Sequence, residues 1–171
     1  MDRRRDFFIQ FEGLKETVHH FDFEVDDSFF SAFEGSLIEQ GRLQVSLELD
    51  KKSTMMELLF HISGNVTREC DLCGDPLAVP IDSKEKLIVK YGEEGDEAGD
   101  ELAFVAPSAY EFDVAPYIYE FIVLAMPVKN VHPEGECNPE AIELLKKLNE
   151  KREEDDIDPR WSKLKQFKKD N

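Results

Sequence analysis

Alternation dominates the first half of the chain. In "RLQVSLELD" (42–50), Leu43, Val45, Leu47 and Leu49 fall on one side of an extended backbone and Gln44, Ser46, Glu48 and Asp50 on the other. Successive side chains of a strand point to opposite faces, so this pattern predicts a half-buried strand. "MMELLFHISG" repeats it with Met56, Leu58, Phe60 and Ile62, and Gly64 is expected to mark a bulge or the end of regular pairing. "PLAVPIDSKEKLIVKYG" (76–92) adds Leu77, Val79 and Ile81, then Leu87, Val89 and Tyr91. "KKST" and "CGDP" supply turn residues between these runs. With the strand-like segments "DFFIQFEGL" and "HHFDFEV" upstream, the expectation is an antiparallel meander.

The spacing changes after "YGEEGDEAGDE" (91–101), which holds six acids, three glycines and no base. That stretch reads as a solvated loop, because it lacks the alternating ligands and closing Glu of an EF-hand. Beyond it, Asp113 is a suitable cap for "VAPYIYEFIVLAM", with Pro116 tolerated in the first turn and Pro127 ending the run. Val114, Ile118, Phe121, Ile122 and Ala125 form a broad apolar stripe, which predicts a buried helix over 114–126. A second helix is expected to begin at Asn138, with Pro139 in its first position and Glu140 complementing the dipole. Its stripe is Ile142, Leu145 and Leu148, opposite a charged face. The predicted fold is α+β: an antiparallel β-meander or partial barrel, packed by one buried helix, with a second helix on the surface. One domain is expected over 1–150, followed by a charged C-terminal tail over 151–171.

Charge narrows the choice of partners. The chain has 38 acids against 21 bases, a formal net charge of −17. Such a surface repels phosphate backbones and attracts basic proteins, ribosomal proteins among them. The longest apolar run, "FIVLAMPV" (121–128), is far shorter than the ~18 residues of a membrane span. The start, "MDRRRDFFIQFEG", has bases but no apolar core of a signal peptide, so a cytoplasmic protein is expected. The tail reverses sign. Arg160, Lys163, Lys165, Lys168 and Lys169 alternate with Trp161, Leu164 and Phe167. That stripe suits either packing on the domain or contact with RNA, with Trp161 as a stacking group.

The candidate chemistry lies in the cysteines. Cys70 and Cys73 form a two-residue knuckle in "RECDLCGDP", and Cys137 follows His132 by five residues in "NVHPEGEC". Four such ligands in the pattern C-x2-C…H-x4-C suit tetrahedral zinc, and a site closed by four protein ligands leaves no position for a catalytic water. A thiolate at Cys137 would be favoured by the helix start that follows it. Two other readings stand beside zinc: three unligated cysteines with a surface histidine, or a redox pair. The redox reading is disfavoured because a thioredoxin-type motif opens a helix, whereas this knuckle lies between strands. His61 is expected in the core or at a sheet edge, and His19 and His20 at the start of a strand. No P-loop, nucleophile elbow or dinucleotide fingerprint occurs, so the chain is expected not to be an enzyme.

These motifs carry a family resemblance. "GNVTRECDLCGDPLAVPI" resembles the central strand–CxxC–strand element of the YceD family, the large-subunit ribosomal RNA accumulation proteins. "DVAPYIYEFIVLAMPV" is similar to that family's helix, with Asp113, Pro116, Glu120 and Pro127 in the matching places, and "DPRWSKLKQF" resembles its ending. The chain departs from the family pattern at the second ligand pair, where His132 stands in place of a cysteine and a Lys-Gly segment is missing. The resemblance implies a non-catalytic accessory factor in large-subunit ribosomal RNA accumulation and ribosome assembly. On this reading the acidic body engages basic ribosomal proteins or assembly factors. Arg160, Trp161, Lys163, Lys165, Lys168 and Lys169 would touch ribosomal RNA precursor. A small-molecule-binding β-cup lined by phenylalanines and a thiol oxidoreductase are the alternatives.

Overall fold

A computed structural model describes residues 3–92 and 101–154, with side chains from 5 to 149 within those spans. The chain divides into two compact units: Met1–Arg68 with Pro76–Asn130, and Glu69–Asp75 with Val131–Asn171.

The first unit is built on a five-stranded sheet in the order β2-β3-β4-β5-β6. β2 (Val18–Val25), β3 (Gln40–Lys51) and β4 (Met55–Glu69) pair antiparallel in unbroken register, for example Phe23↔Val45 and Val45↔Ile62. The alternation read from the sequence is the pattern of burial: Leu43, Val45, Leu47, Leu49, Met56, Leu58, Phe60 and Ile62 are each 2% exposed or less. β5 (Pro76–Tyr91) neighbours β4, and a six-residue link is too short for a parallel crossover. Its polar centre, Asp82 to Lys86, stays in the strand, so Val79, Ile81, Leu87 and Val89 lie on one continuous buried face. β6 (Leu102–Val105) joins beside β5 in parallel, which is a departure from simple meander order. Of the loop joining them, residues 93–100, including most of the acidic stretch, lie outside the described residues. The sheet is open, with β2 and β6 as its edges.

A two-stranded antiparallel ribbon, β1 (Phe8–Gln10) with β7 (Glu111–Asp113), leads into α2 (Ala115–Ala125). The Asp113 side chain accepts the Ala115 N–H at 2.9 Å, so the expected capping residue does cap, from one position earlier than an ideal N-cap. α2 buries Ala115, Ile118, Phe121 and Ile122, with Val114 buried just before it, and Phe121 meets Phe60 edge-on with ring centroids 5.3 Å apart. The one-turn helix α1 (Asp27–Phe30) is capped by Asp26, whose Oδ1 accepts the Ser28 and Phe29 N–H groups. It delivers Phe29 and Phe30 to the core, where Phe29 packs on Phe7 and Phe33. Lys51 ties the start of the chain to the end of β3, donating to the carbonyls of Phe11 (2.7 Å), Glu12 (3.3 Å) and Leu14 (2.8 Å).

Two expectations need correction. Gly64 does not end the pairing, because β3 and β4 stay in register through Gln40↔Thr67. Its absent side chain instead permits close approach: a Cβ there would lie 2.2 Å from the Arg42 carbonyl oxygen. His61 is neither buried nor at an edge. It sits on the solvent face of the central strand β4, with Nε2 2.9 Å from Asp82 Oδ1.

The second unit contains the turn linking β4 to β5, the segment from Val131, and α3 (Pro139–Glu154). Asn138 Oδ1 accepts the Glu140 N–H at 3.0 Å and its carbonyl accepts from Ile142, so α3 starts where its capping residues place it. Leu144, Leu145 and Leu148 are 59%, 37% and 52% exposed, as suits a surface helix. No helix among the described residues is long and apolar enough to cross a membrane.

Candidate metal centre

Two tight turns present the candidate ligands. In the first, the Cys70 N–H bonds to the Asp75 carbonyl and the Gly74 N–H to the Cys70 carbonyl, each at 2.9 Å. Gly74 takes φ +77°, a left-handed conformation that glycine adopts without steric cost, and this folds Cys73 back toward Cys70. In the second, the Glu136 N–H bonds to the Pro133 carbonyl at 3.0 Å and Gly135 takes φ +88°. That turn reverses the chain between His132 and Cys137, immediately before the α3 cap. Each pair of ligands is therefore positioned by local turn chemistry.

Cys70, Cys73, His132 and Cys137 converge, with their ligand atoms all within 4.8 Å of one another. Cys70 Sγ is 3.8 Å from Cys137 Sγ, Cys73 Sγ is 3.4 Å from His132 Nδ1, and Cys137 Sγ is 3.9 Å from the same nitrogen. A tetrahedron with Zn–S near 2.3 Å and Zn–N near 2.05 Å has S···S edges of about 3.8 Å and S···N edges of about 3.6 Å. These three separations are of that size, so the donor set fits a zinc ion. All three cysteines are free, Cys70 is buried at 3% exposure, and the other three ligands are half-buried.

The electrostatics of the cluster are uneven. Burial pushes the Cys70 thiol up, but hydrogen bonds from the backbone at Cys73, His132 and Leu72, with the Cys73 side chain, draw it down to about 6. Cys137 is raised to about 11 by burial, by hydrogen bonding with Cys70 and Cys73, and by repulsion from their charge. Negative charge gathered on Cys70 and Cys73 therefore opposes ionisation of Cys137. A divalent cation at the centre would reverse that balance by compensating the charge of each thiolate.

Outside this centre, His61 pairs with Asp82, His20 lies 3.9 Å from Glu48, and His19 Nε2 is 3.0 Å from the Lys15 carbonyl oxygen. These three histidines do not join the cluster, and no other group of metal-binding side chains gathers among the described residues. The sequence reading did not single out Glu57, which joins Lys86 of β5 and Lys52 of the β3–β4 turn on the solvent face. No periodic or motif signal marks that trio, because its members meet only through strand register. Arg160, Trp161, Lys163, Lys165, Lys168 and Lys169 lie outside the described residues.

In comparisons with known proteins, the model of the family described as Large ribosomal RNA subunit accumulation protein YceD matches residues 58–168. That span contains both ligand pairs, β5, α2 and α3. No curated protein and no solved structure matches the chain.

Proposed function

Since the chain belongs to the YceD family, we propose that it is a non-catalytic accessory factor in large-subunit ribosomal RNA accumulation, held in shape by a structural zinc ion. The observation that carries the mechanistic part is the meeting of three thiols and an imidazole, drawn from two turns, within 4.8 Å. Cys70, Cys73, His132 and Cys137 would hold the metal. Bound there, it supplies a cross-link and, with four protein ligands, no open coordination position. The burial of Cys70 supports this reading over thiol exchange, since a sulfur that attacks a substrate disulfide has to be reachable. The protein would act in the cytoplasm by binding. Its net charge of −17 suits basic ribosomal proteins or assembly factors, and Arg160, Trp161 and the four tail lysines suit precursor RNA.

Metal analysis of the native protein and of His132→Ala tests the site: one zinc per chain is expected, falling to well under one in the variant. A metal-free native protein, or a variant that keeps its zinc, would overturn the ligand set. Affinity capture from cells tests the role, with large-subunit proteins or ribosomal RNA precursors expected in the bound fraction. Recovery of neither would sink it.

A further inference from the structure

β2 is an eight-residue edge strand, "VHHFDFEV", paired with β3 along its whole length and, among the described residues, with no strand on its other side. Among the described residues, no backbone hydrogen bond joins Val18–Val25 to anything but β3. Its outward N–H and C=O groups are therefore a template for another strand. Proteins usually blunt such an edge with proline, a bulge or charged side chains, and β2 has neither proline nor bulge. Its only guard is negative charge, which a cationic strand would not meet as repulsion. β2 carries Asp22 and Glu24, both exposed and two residues apart on the face they share with His20, and it has no lysine or arginine. Across a strand pair, carboxylates favour cations and disfavour other carboxylates.

A cavity of about 190 Å³ adjoins the same edge. Phe7 and Phe29 contribute its aromatic wall, their ring centroids 4.8 Å apart, and the exposed carboxylates of Asp6 and Glu24 contribute to its rim. Asp26 also lines it but serves as the α1 cap. An aliphatic stem ending in a cation matches this combination: methylenes against the rings, the charged head between the carboxylates.

The geometry points to an extended lysine- and arginine-rich protein segment adding to β2 as a sixth strand of this five-stranded sheet, with one long cationic side chain seated against Phe7 and Phe29. A second copy of this chain is the wrong occupant. Each copy carries a net charge of −17, and the self-pairing that sets Asp22 opposite Asp22 opposes two carboxylates. The inference names the surface for the basic partner of the proposed function and rests on that reading only for the partner's link to the ribosome.

The test titrates the full chain with a fluorescent peptide of β2's length, alternating lysine with threonine, and follows anisotropy and amide exchange. Saturable binding that slows exchange in β2 is expected. The double variant Asp22→Lys/Glu24→Lys, whose altered side chains are exposed and whose fold circular dichroism checks, should bind about tenfold or more weakly. The same peptide N-methylated at alternate residues keeps its charge and loses its edge hydrogen bonds, so it should not bind. Equal binding by the N-methylated peptide would reduce the interaction to nonspecific charge attraction. Undiminished binding by the double variant, peptide-driven self-association or absence of binding would each overturn the proposal. None of these results touches zinc content or the capture of ribosomal components, so the two readings fail separately.

Discussion

A methyl group at residue 64 would sit 2.2 Å from the Arg42 carbonyl oxygen and 2.7 Å from the Leu43 Cα, both backbone atoms with no rotamer to escape into. Gly64 also holds φ +148°, where L side chains are strained. Gly64→Ala is therefore expected to cost about 2–4 kcal/mol, read as a lower urea midpoint, because two central strands would have to part. By contrast, Gly74 has no atom within 4 Å of its would-be Cβ, so only its left-handed backbone constrains it. The sequence showed a glycine in a strand pattern but not which of these reasons applied, since neither φ nor the distance across to Arg42 is a local property of the chain. The chemistry of the cysteines was more legible. Residue type and the two-residue spacing of Cys70 and Cys73 already restrict the useful metals, because thiolates and imidazole suit zinc.

Strands and helices were legible wherever burial imposed a period. β3 alternates buried and exposed from Gly41 to Leu49, and α2 buries Ile118, Phe121 and Ile122 at helical spacing. Periodicity fades in the middle of β5, where Asp82 to Lys86 carries no apolar residue, yet pairing within the sheet holds the strand through it. Glu57 of β4 supports that stretch by its ion pair with Lys86 of β5, and it also meets Lys52 at 3.0 Å. The Lys86 hydrogen bond, then that of Lys52, holds the Glu57 carboxyl below its ordinary value of 4.5. A carboxyl with a lowered folded-state pKa contributes stability present above 4.5 and lost as pH falls through the folded value. Thermal midpoints measured on acidification from pH 4.5 should therefore fall less in Glu57→Gln than in the native chain, while near neutral pH the native chain should be the more stable. A variant with the same acid sensitivity as the native protein would show that the pair has no energetic role.

At the scale of the whole molecule, the two units differ in what holds them. The sheet unit has a continuous apolar core that includes Phe30, Phe60, Leu58, Ile118 and Ile122, each 2% exposed or less. In the second unit α3 leaves Leu144, Leu145 and Leu148 exposed, and an isolated helix of its sixteen residues is marginal in water. Metal binding would then be the folding energy of that unit. Chelation should speed amide exchange over 69–75 and 131–149 and leave β2–β5 protected; uniform loss of protection, or none, would contradict it. The sequence by itself determined the elements and the donors, because periodicity, caps and ligand type are settled within a few residues of chain. Only the tertiary structure decided that β6 lies parallel to β5, that Gly64 is a point of close approach, and that Cys70 meets Cys137 across a separation of 67 residues. Distances of that kind depend on how every strand and turn between the two residues packs, and no local pattern encodes that sum.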